Sequence, residues 1–402
     1  MNRISIQTTA DLFFQFNWSG NGVQHTDAFA GHQVNFWRDM MPQSLFEALM
    51  GKRSGDQVRL GISVDELLGV TSTKAVRTID HRQFDSSRIR KKSCEARLGR
   101  FYPKGILADV TGIFKANRDP FRCIAVANGH LGIAMGHPMA GKTIDLNVTV
   151  GSIRSKLEER GGTMRHWGEV IAQGPGMQAR WENQPTDFFS DHPFERKDES
   201  PDTAFYARPR MVQHIDDTAA DMVRQIYSRF LLDDIKILDL MSSWQSHLPE
   251  TSGSHHVTGL GLNKDELQSN KALQDHLVHD LNANGQIPYD EDTFDLMLCS
   301  LSVEYLMNPF QIFNEAARIL KPGGYLVISF SNRWFEPKTI KIWRELHEFE
   351  RMGLVLEYFK HDHLFDDLHT YSVRGLSRPT HDKYYGKIPY SDPVYVVWGR
   401  SK

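Results

Sequence analysis

Cysteine is scarce in this chain. The three present, Cys94, Cys123 and Cys299, are odd in number and form no Cys-x-x-Cys pair. That excludes a disulfide framework and the common thiolate zinc sites, and it points to a reducing compartment. A surplus of one charge is also missing. Forty-seven Lys and Arg nearly balance 50 Asp and Glu, for a net charge of -3, so bulk attraction to nucleic acid or to an anionic membrane is not expected. No apolar run approaches the ~20 residues a membrane helix needs. The start, Met1-Asn2-Arg3-Ile4-Ser5, lacks the charged-then-apolar pattern of a secretory signal. These absences together lead us to expect a cytoplasmic protein. Metal chemistry is not expected either. His361-Asp362-His363 with Asp366, Asp367 and His369 is a scatter along one loop, and no His-Glu-x-x-His accompanies it. The basic run Arg88-Ile89-Arg90-Lys91-Lys92 is short and has no interleaved aromatics, so it reads as a solvated face.

What is present suffices for more than one core. At 402 residues, with 40% hydrophobic and 24% charged, the chain is long enough for two or three domains. The Pro-rich polar stretch from Asn183 to Asp202, preceded by the charged run Ser155–Arg160, reads as a connector. We therefore divide the chain into a first domain at 1–153, a linker at 154–204 and a second domain at 205–402.

In the first domain, Gln57–Ile62 and Thr143–Val150 alternate apolar and polar residues with the period of a half-buried strand. One clear helix, Ser44–Met50, has Pro42 near its start and Gly51 as its stop. Two segments, Ser44-Leu45-Phe46-Glu47-Ala48-Leu49-Met50-Gly51-Lys52-Arg53-Ser54-Gly55-Asp56 and Gly136-His137-Pro138-Met139-Ala140-Gly141-Lys142-Thr143-Ile144-Asp145-Leu146, resemble the FKBP-type peptidyl-prolyl isomerases, in particular the SlyD-like branch with an inserted flap, here at about 71–135. The resemblance implies a mainly β (α+β) domain whose pocket is lined with aromatics. Leu68 stands at that family's tyrosine position, Leu146 at its aromatic on the last strand, and Asp27 is the candidate pocket acid. Without those aromatics the domain is expected to bind an extended or proline-containing segment rather than to catalyse, or else to serve as a structural appendage.

The second domain has three telling segments: Ile235-Lys236-Ile237-Leu238-Asp239-Leu240-Met241-Ser242-Ser243-Trp244, which we read as a strand, a small-residue turn and a helical pattern; Phe294-Asp295-Leu296-Met297-Leu298-Cys299; and Ile319-Leu320-Lys321-Pro322-Gly323-Gly324-Tyr325 through Ser329. In this order they resemble the class I S-adenosylmethionine-dependent methyltransferases, of the type 11 kind. The resemblance implies an α/β, Rossmann-like, seven-stranded fold closed by an antiparallel strand at Pro393–Gly399, with S-adenosyl-L-methionine as cofactor and S-adenosyl-L-homocysteine as product. It also places candidate cofactor residues. Asp239 ends the first strand, and Met241, Ser242 and Ser243 occupy a turn where the family has glycines. Gly261 stands where a ribose-binding acid is usual, so Asn263 is the substitute. Asp280 and Leu281 would face the adenine. Ser300 and Ser302 lie past the fourth strand. Tyr206 and Arg208, ahead of a helix expected over 214–230, would reach the methionine carboxylate. On the acceptor side stand Glu304, Tyr305, Asn332 and Arg333. Asp295 is assigned to structure, and Trp343 and Phe349 to the core. No catalytic acid or base stands out, which suits a displacement governed by positioning. The reaction expected is methyl transfer to an unidentified small molecule or protein segment, with the first domain as a recruiting module. Two other readings stay open: a non-catalytic binding or chaperone protein on a degenerate methyltransferase fold, and a prolyl isomerase with an appended domain.

Overall fold

Parallel strands buried on both faces read as continuous apolar runs, and the run at Ile235–Leu238 becomes the centre of a sheet. The computed structural model describes residues 3–69, 75–88, 94–155, 162–250 and 255–402. The basic run at 89–93 and most of the charged run before 162 lie outside the described residues. Two compact units emerge. The first takes residues 1–21, 31–191 and 346–354; the second takes 22–30, 192–345 and 355–402.

The first unit contains β1 (Thr8–Gly20), the end of β2 (Val23–Asn35), α1 (Gln43–Leu49), β3 (Gln57–Ser63) and α2 (Val64–Leu68). There follow β4 (Val76–Asp80), β5 (Phe101–Pro103), β6 (Pro120–Ala127), β7 (His130–Ala134), β8 (Thr143–Ser155) and α3 (Trp167–Ala172). Antiparallel pairing joins β1 to β8 (Phe14 opposite Val148) and β8 to β3 (Leu146 opposite Leu60). Between α2 and β8 the chain builds a separate four-stranded sheet in the order β4-β7-β6-β5. Its own core is Phe84, Tyr102, Leu107, Phe121, Cys123, Leu131 and Ile133. The helix α2 was not expected. It starts because the Ser63 side chain accepts the Glu66 N–H, and it stops at Gly69 in the left-handed region, φ 63°.

Much of the expected linker is packed. Trp167, Ile171, Met177 and Phe188 are all buried in the first unit, since apolar residues in a nominal connector still seek a core. Residues from His192 onward pack in the second unit instead, where Pro193 and Glu195 carbonyls accept from the Ile342 and Lys341 amides at 2.9 and 2.7 Å.

The second unit holds α4 (Asp202–Phe205), α5 (Asp217–Tyr227), β9 (Lys236–Leu240), β10 (His256–Gly261), α6 (Lys264–Ser269), β11 (Asp275–Val278) and β12 (Phe294–Ser300). It continues with α7 (Pro309–Ile319), β13 (Leu320–Phe330), α8 (Lys341–Glu345), the later part of α9 (Glu348–Lys360), β14 (Phe365–Arg374) and β15 (Val394–Ser401). The strand order is β11-β10-β9-β12-β13-β15-β14, with β15 antiparallel to both neighbours and the others parallel. This is a Rossmann-like sheet with its order reversing between β9 and β12. An eighth strand extends it: Val23–Phe29 pairs parallel with Leu368–Arg374. Asp27, the candidate pocket acid, accordingly lies on this strand within the second unit, fully buried and accepting from the Ser372 hydroxyl at 2.7 Å.

Two helix expectations are corrected. No helix follows the turn after β9 among the described residues: 243–250 is irregular, with His247 at φ 54° and Pro249 behind it, both unsuited to helix. The helix expected from 214 starts at Asp217, because Asp216 caps it by accepting from the Ala219 N–H at 3.1 Å. Asp295 is structural: it bonds the Lys236 amide at 2.9 Å and Lys321 Nζ at 2.7 Å. Trp343 and Phe349 are buried. No helix among the described residues is long and apolar enough to cross a membrane.

Candidate active site

The carboxyl ends of β9, β10 and β12 open onto one cavity of about 660 Å³, wholly within the second unit. Sheets that reverse order leave such a crevice by construction.

Asp239 forms its inner end. β9 is flanked by β10 and β12, so the carboxylate is buried, 2% exposed. It accepts the Ser242 hydroxyl at 2.6 Å and a further bond from Ser246. No cation pairs with it among the described residues, and burial raises the carboxyl from 3.8 to about 6. Met241 follows at φ 56°, the left-handed region where glycine is at ease and other residues carry about 1–2 kcal/mol of strain. The turn thus keeps a glycine's backbone with a methionine's side chain.

The absent acid at 261 has a steric cause. The Ser242 amide donates to the Leu260 carbonyl at 2.8 Å, and this draws the turn so close that a Cβ on Gly261 would stand 2.1 Å from the Ser242 carbonyl oxygen. Asn263 does not replace that acid with a free amide. Its Oδ1 caps α6 by accepting from the Asp265 and Glu266 amides at 3.0 and 3.1 Å. Its Nδ2 donates to the Tyr206 and Ala207 carbonyls at 2.9 and 3.3 Å. All four of its hydrogen-bonding positions are engaged. The acid facing the cavity beside it is Glu266, in the first turn of α6. Glu266 is buried, and its two oxygens accept from the Arg210 amide at 2.7 Å and the Ser243 hydroxyl at 2.5 Å. With about four lone-pair positions, a carboxylate keeps capacity for two more donors.

Asp280 and Leu281 line the same cavity. One Asp280 oxygen caps the local turn by accepting from the Asn282 and Ala283 amides at 3.0 and 3.2 Å. Ser300 and Ser302 are there too, the first bonded to the buried Tyr227 hydroxyl at 2.7 Å and the second to the Ser300 carbonyl at 2.9 Å. Tyr206 lines the cavity, but Arg208 is exposed and does not. Two residues on, Arg210 does. Its guanidinium lies 4.3 Å from the Phe205 ring centre, 5.0 Å from Phe335 and 5.2 Å from Tyr206, with Nη1 buried and without a hydrogen-bond partner among the described residues. The arginine in the aromatic box is therefore Arg210 and not the expected Arg208.

Of the acceptor-side candidates, Tyr305, Asn332 and Arg333 line the cavity, whereas Glu304 is buried beside it and is not part of the lining. Arg333 is paired with Asp392 at 2.9 Å and stacks over Tyr384 at 4.8 Å. The lining also includes His214, His247, Lys383 and Tyr384, none of them foreseen as site residues. Burial pushes His247 down to about 4, with Arg224 and His214 adding to the effect, so it is neutral near pH 7.

A buried ionic knot braces the wall. Asp202 accepts from Arg196 Nη1 at 2.8 and 2.9 Å and from Asn282 at 2.8 Å, and the wholly buried Lys338 ammonium lies 3.3 Å from it.

A family model described as a methyltransferase domain matches residues 242–328, the stretch from the turn after β9 to Ile328 within β13. The C-terminal part is a class I S-adenosylmethionine-dependent methyltransferase domain. Over 103 residues the chain is 30% identical to a malonyl-[acyl-carrier protein] O-methyltransferase of Marinomonas sp. (strain MWYL1), covering 25% of this chain and 37% of that protein. Over 126 residues it is 27% identical to a demethylmenaquinone methyltransferase of Halalkalibacterium halodurans, covering 30% of this chain and 46% of that protein. The chain thus spans less than half the length of either relative. A solved complex of the Haloferax volcanii Trm112 methyltransferase activator with a putative methyltransferase aligns at 17% identity and a TM-score of 0.34, over 46% of this chain and 90% of that one; a score that low adds nothing to the strand order.

Proposed function

We propose that the methyltransferase domain binds S-adenosylmethionine in this cavity and transfers its methyl group to an acceptor held in the outer half. The observation that carries the reading is the buried Asp239 carboxylate, without a cationic partner among the described residues, near the end of the central strand. A ligand carrying an ammonium and a sulfonium supplies the missing positive charge. In our assignment Arg210, with its open Nη1, takes the ligand's carboxylate, and Glu266 takes the ribose hydroxyls in place of Asn263. Asp280 takes the adenine amino group, with Leu281 against the ring. When bound, the cofactor would supply a methyl carbon activated by its bond to a positively charged sulfur, with the neutral thioether as the leaving group. The protein's part is to align the acceptor and keep water out, through Tyr305, Arg333, Tyr384 and the neutral His247.

Under the same reading the N-terminal unit is an FKBP-like module that recruits or supports rather than isomerises. Support comes from the order of β3, α2, the inserted four-stranded sheet and β8, and from the aliphatic Leu68 and Leu146 at the family's aromatic positions. The buried Cys123 and Cys299, both unpaired, suit a cytoplasmic setting.

Calorimetric titration of the full chain with S-adenosylhomocysteine tests the reading. Binding in the micromolar range, weakened at least about tenfold by Glu266→Ala, supports it. No heat of binding at millimolar ligand ends it.

A further inference from the structure

Between α4 and α5 the second unit runs through residues 206–216 without a helix or a strand. Residues 207–209 and 211–213 are exposed, so burial does little to hold this strap in place. Three side chains fasten it. Asn263 Nδ2 donates to the Tyr206 and Ala207 carbonyls at 2.9 and 3.3 Å. Glu266 accepts the Arg210 amide at 2.7 Å, and Trp244 Nε1 donates to the Val212 carbonyl at 3.1 Å. All three belong to the turn after β9 or the start of α6, which also give Ser242, Ser243 and Glu266 to the cavity wall.

Arg210 is the side chain that this fastening aims. Its Nη2 donates back to the Phe205 carbonyl at 3.2 Å, and its guanidinium lies among three aromatic rings with Nη1 unsatisfied among the described residues. An arginine on a loose loop must be ordered when a ligand arrives, whereas one already held loses little further freedom. An amide suits both demands made at 263. Its oxygen caps α6 through the Asp265 and Glu266 amides, while its nitrogen ties the strap. Aspartate would cap the helix as well, but it would set a carboxylate against two carbonyl oxygens.

We infer that Asn263 is a positioning residue: it fastens the strap at Tyr206 and Ala207 and thereby presents Arg210 to the carboxylate at the amino-acid end of the cofactor. Trp244 is the second fastening, at Val212. The inference rests on the cavity being the cofactor site, and it adds that Asn263 acts on the ligand only through Arg210.

The test is calorimetric titration of the full chain with two ligands, S-adenosylhomocysteine and S-adenosyl-3-thiopropylamine, which lacks only the carboxylate. Wild type is expected to prefer the first by at least about tenfold, the worth of one charge-assisted pair. Asn263→Ser keeps an oxygen for the α6 amides and removes the amide donors. It should weaken S-adenosylhomocysteine at least about fivefold and the decarboxylated ligand less than about twofold. In an Arg210→Met background the preference should be gone, and Asn263→Ser should change neither affinity further. Equal weakening of both ligands, no weakening of either, or the same loss with Arg210 already removed overturns the inference. A wild-type chain that binds both ligands equally well also overturns it and leaves cofactor binding standing. Binding of neither ligand by wild type ends the cofactor reading and this inference with it. If Asn263→Ser does not fold, Trp244→Phe, which keeps a ring and removes the N–H, decides alone: a loss confined to S-adenosylhomocysteine supports the inference, and any other result overturns it.

Discussion

Replacing Asp239 with asparagine isolates the central electrostatic feature of the site. In the folded chain the carboxyl holds its proton up to about pH 6, against 3.8 ordinarily, because burial outweighs the hydrogen bonds from Ser242 and Ser246. Between those two values the folded state binds more protons than the unfolded one, so stability falls as pH rises through that window. Below it the burden is absent; above about 6 it is fully present and constant. The whole interval is worth about 3 kcal/mol at ~1.4 kcal/mol per pH unit, an upper bound. Asparagine keeps the shape and can still accept from Ser242, but it carries no charge. The variant should therefore match wild type near pH 4 and melt up to about 10 °C higher at pH 8, at roughly 2–4 °C per kcal/mol for a unit of this size. Thermal melts of both proteins from pH 4 to 8 read the difference directly, and other titrating groups cancel between them. A melting difference of the same size at pH 4 and pH 8 refutes the reasoning. The cofactor should respond in the opposite sense. S-Adenosylmethionine pairs with the ionised carboxylate, so wild-type affinity should climb with pH up to about 6 and then level off, while the variant binds weakly at every pH.

Gly261→Asp restores an acid at the usual ribose position, yet it should lower stability by about 2 kcal/mol or more and weaken cofactor binding, because a Cβ there meets the Ser242 carbonyl at 2.1 Å; tighter binding would refute the steric account. Met241→Gly exchanges about 1–2 kcal/mol of left-handed strain for about 0.5–1 kcal/mol of lost chain entropy, so urea unfolding should shift by no more than about 1.5 kcal/mol, in the stabilising direction. A loss above about 2 kcal/mol would mean the methionine side chain is a packing element. Lys338→Met removes a wholly buried ammonium from between Asp202 and Asp198 and should cost about 3–5 kcal/mol in urea unfolding; a neutral outcome would show that Arg196 alone satisfies Asp202.

The sequence by itself determined the repeating parts of this protein. The apolar runs at Ile235–Leu238 and Phe294–Cys299 marked buried strands, and the alternation at Thr143–Val150 marked a half-buried one. Each is a pattern of a few adjacent residues set by periodicity and burial, and needs no knowledge of distant segments. The roles of single polar groups were of another kind. Only the tertiary structure decided that Asn263 is consumed in capping α6 and tying down Tyr206 and Ala207, that Glu266 faces the cavity, and that Arg210 rather than Arg208 enters the aromatic box. It alone also showed the Ser242 carbonyl filling the space an acid at 261 would need. These outcomes are set by the approach of segments tens to more than a hundred residues apart, where a few ångströms decide whether a side chain binds a ligand, a helix end or another part of the same chain.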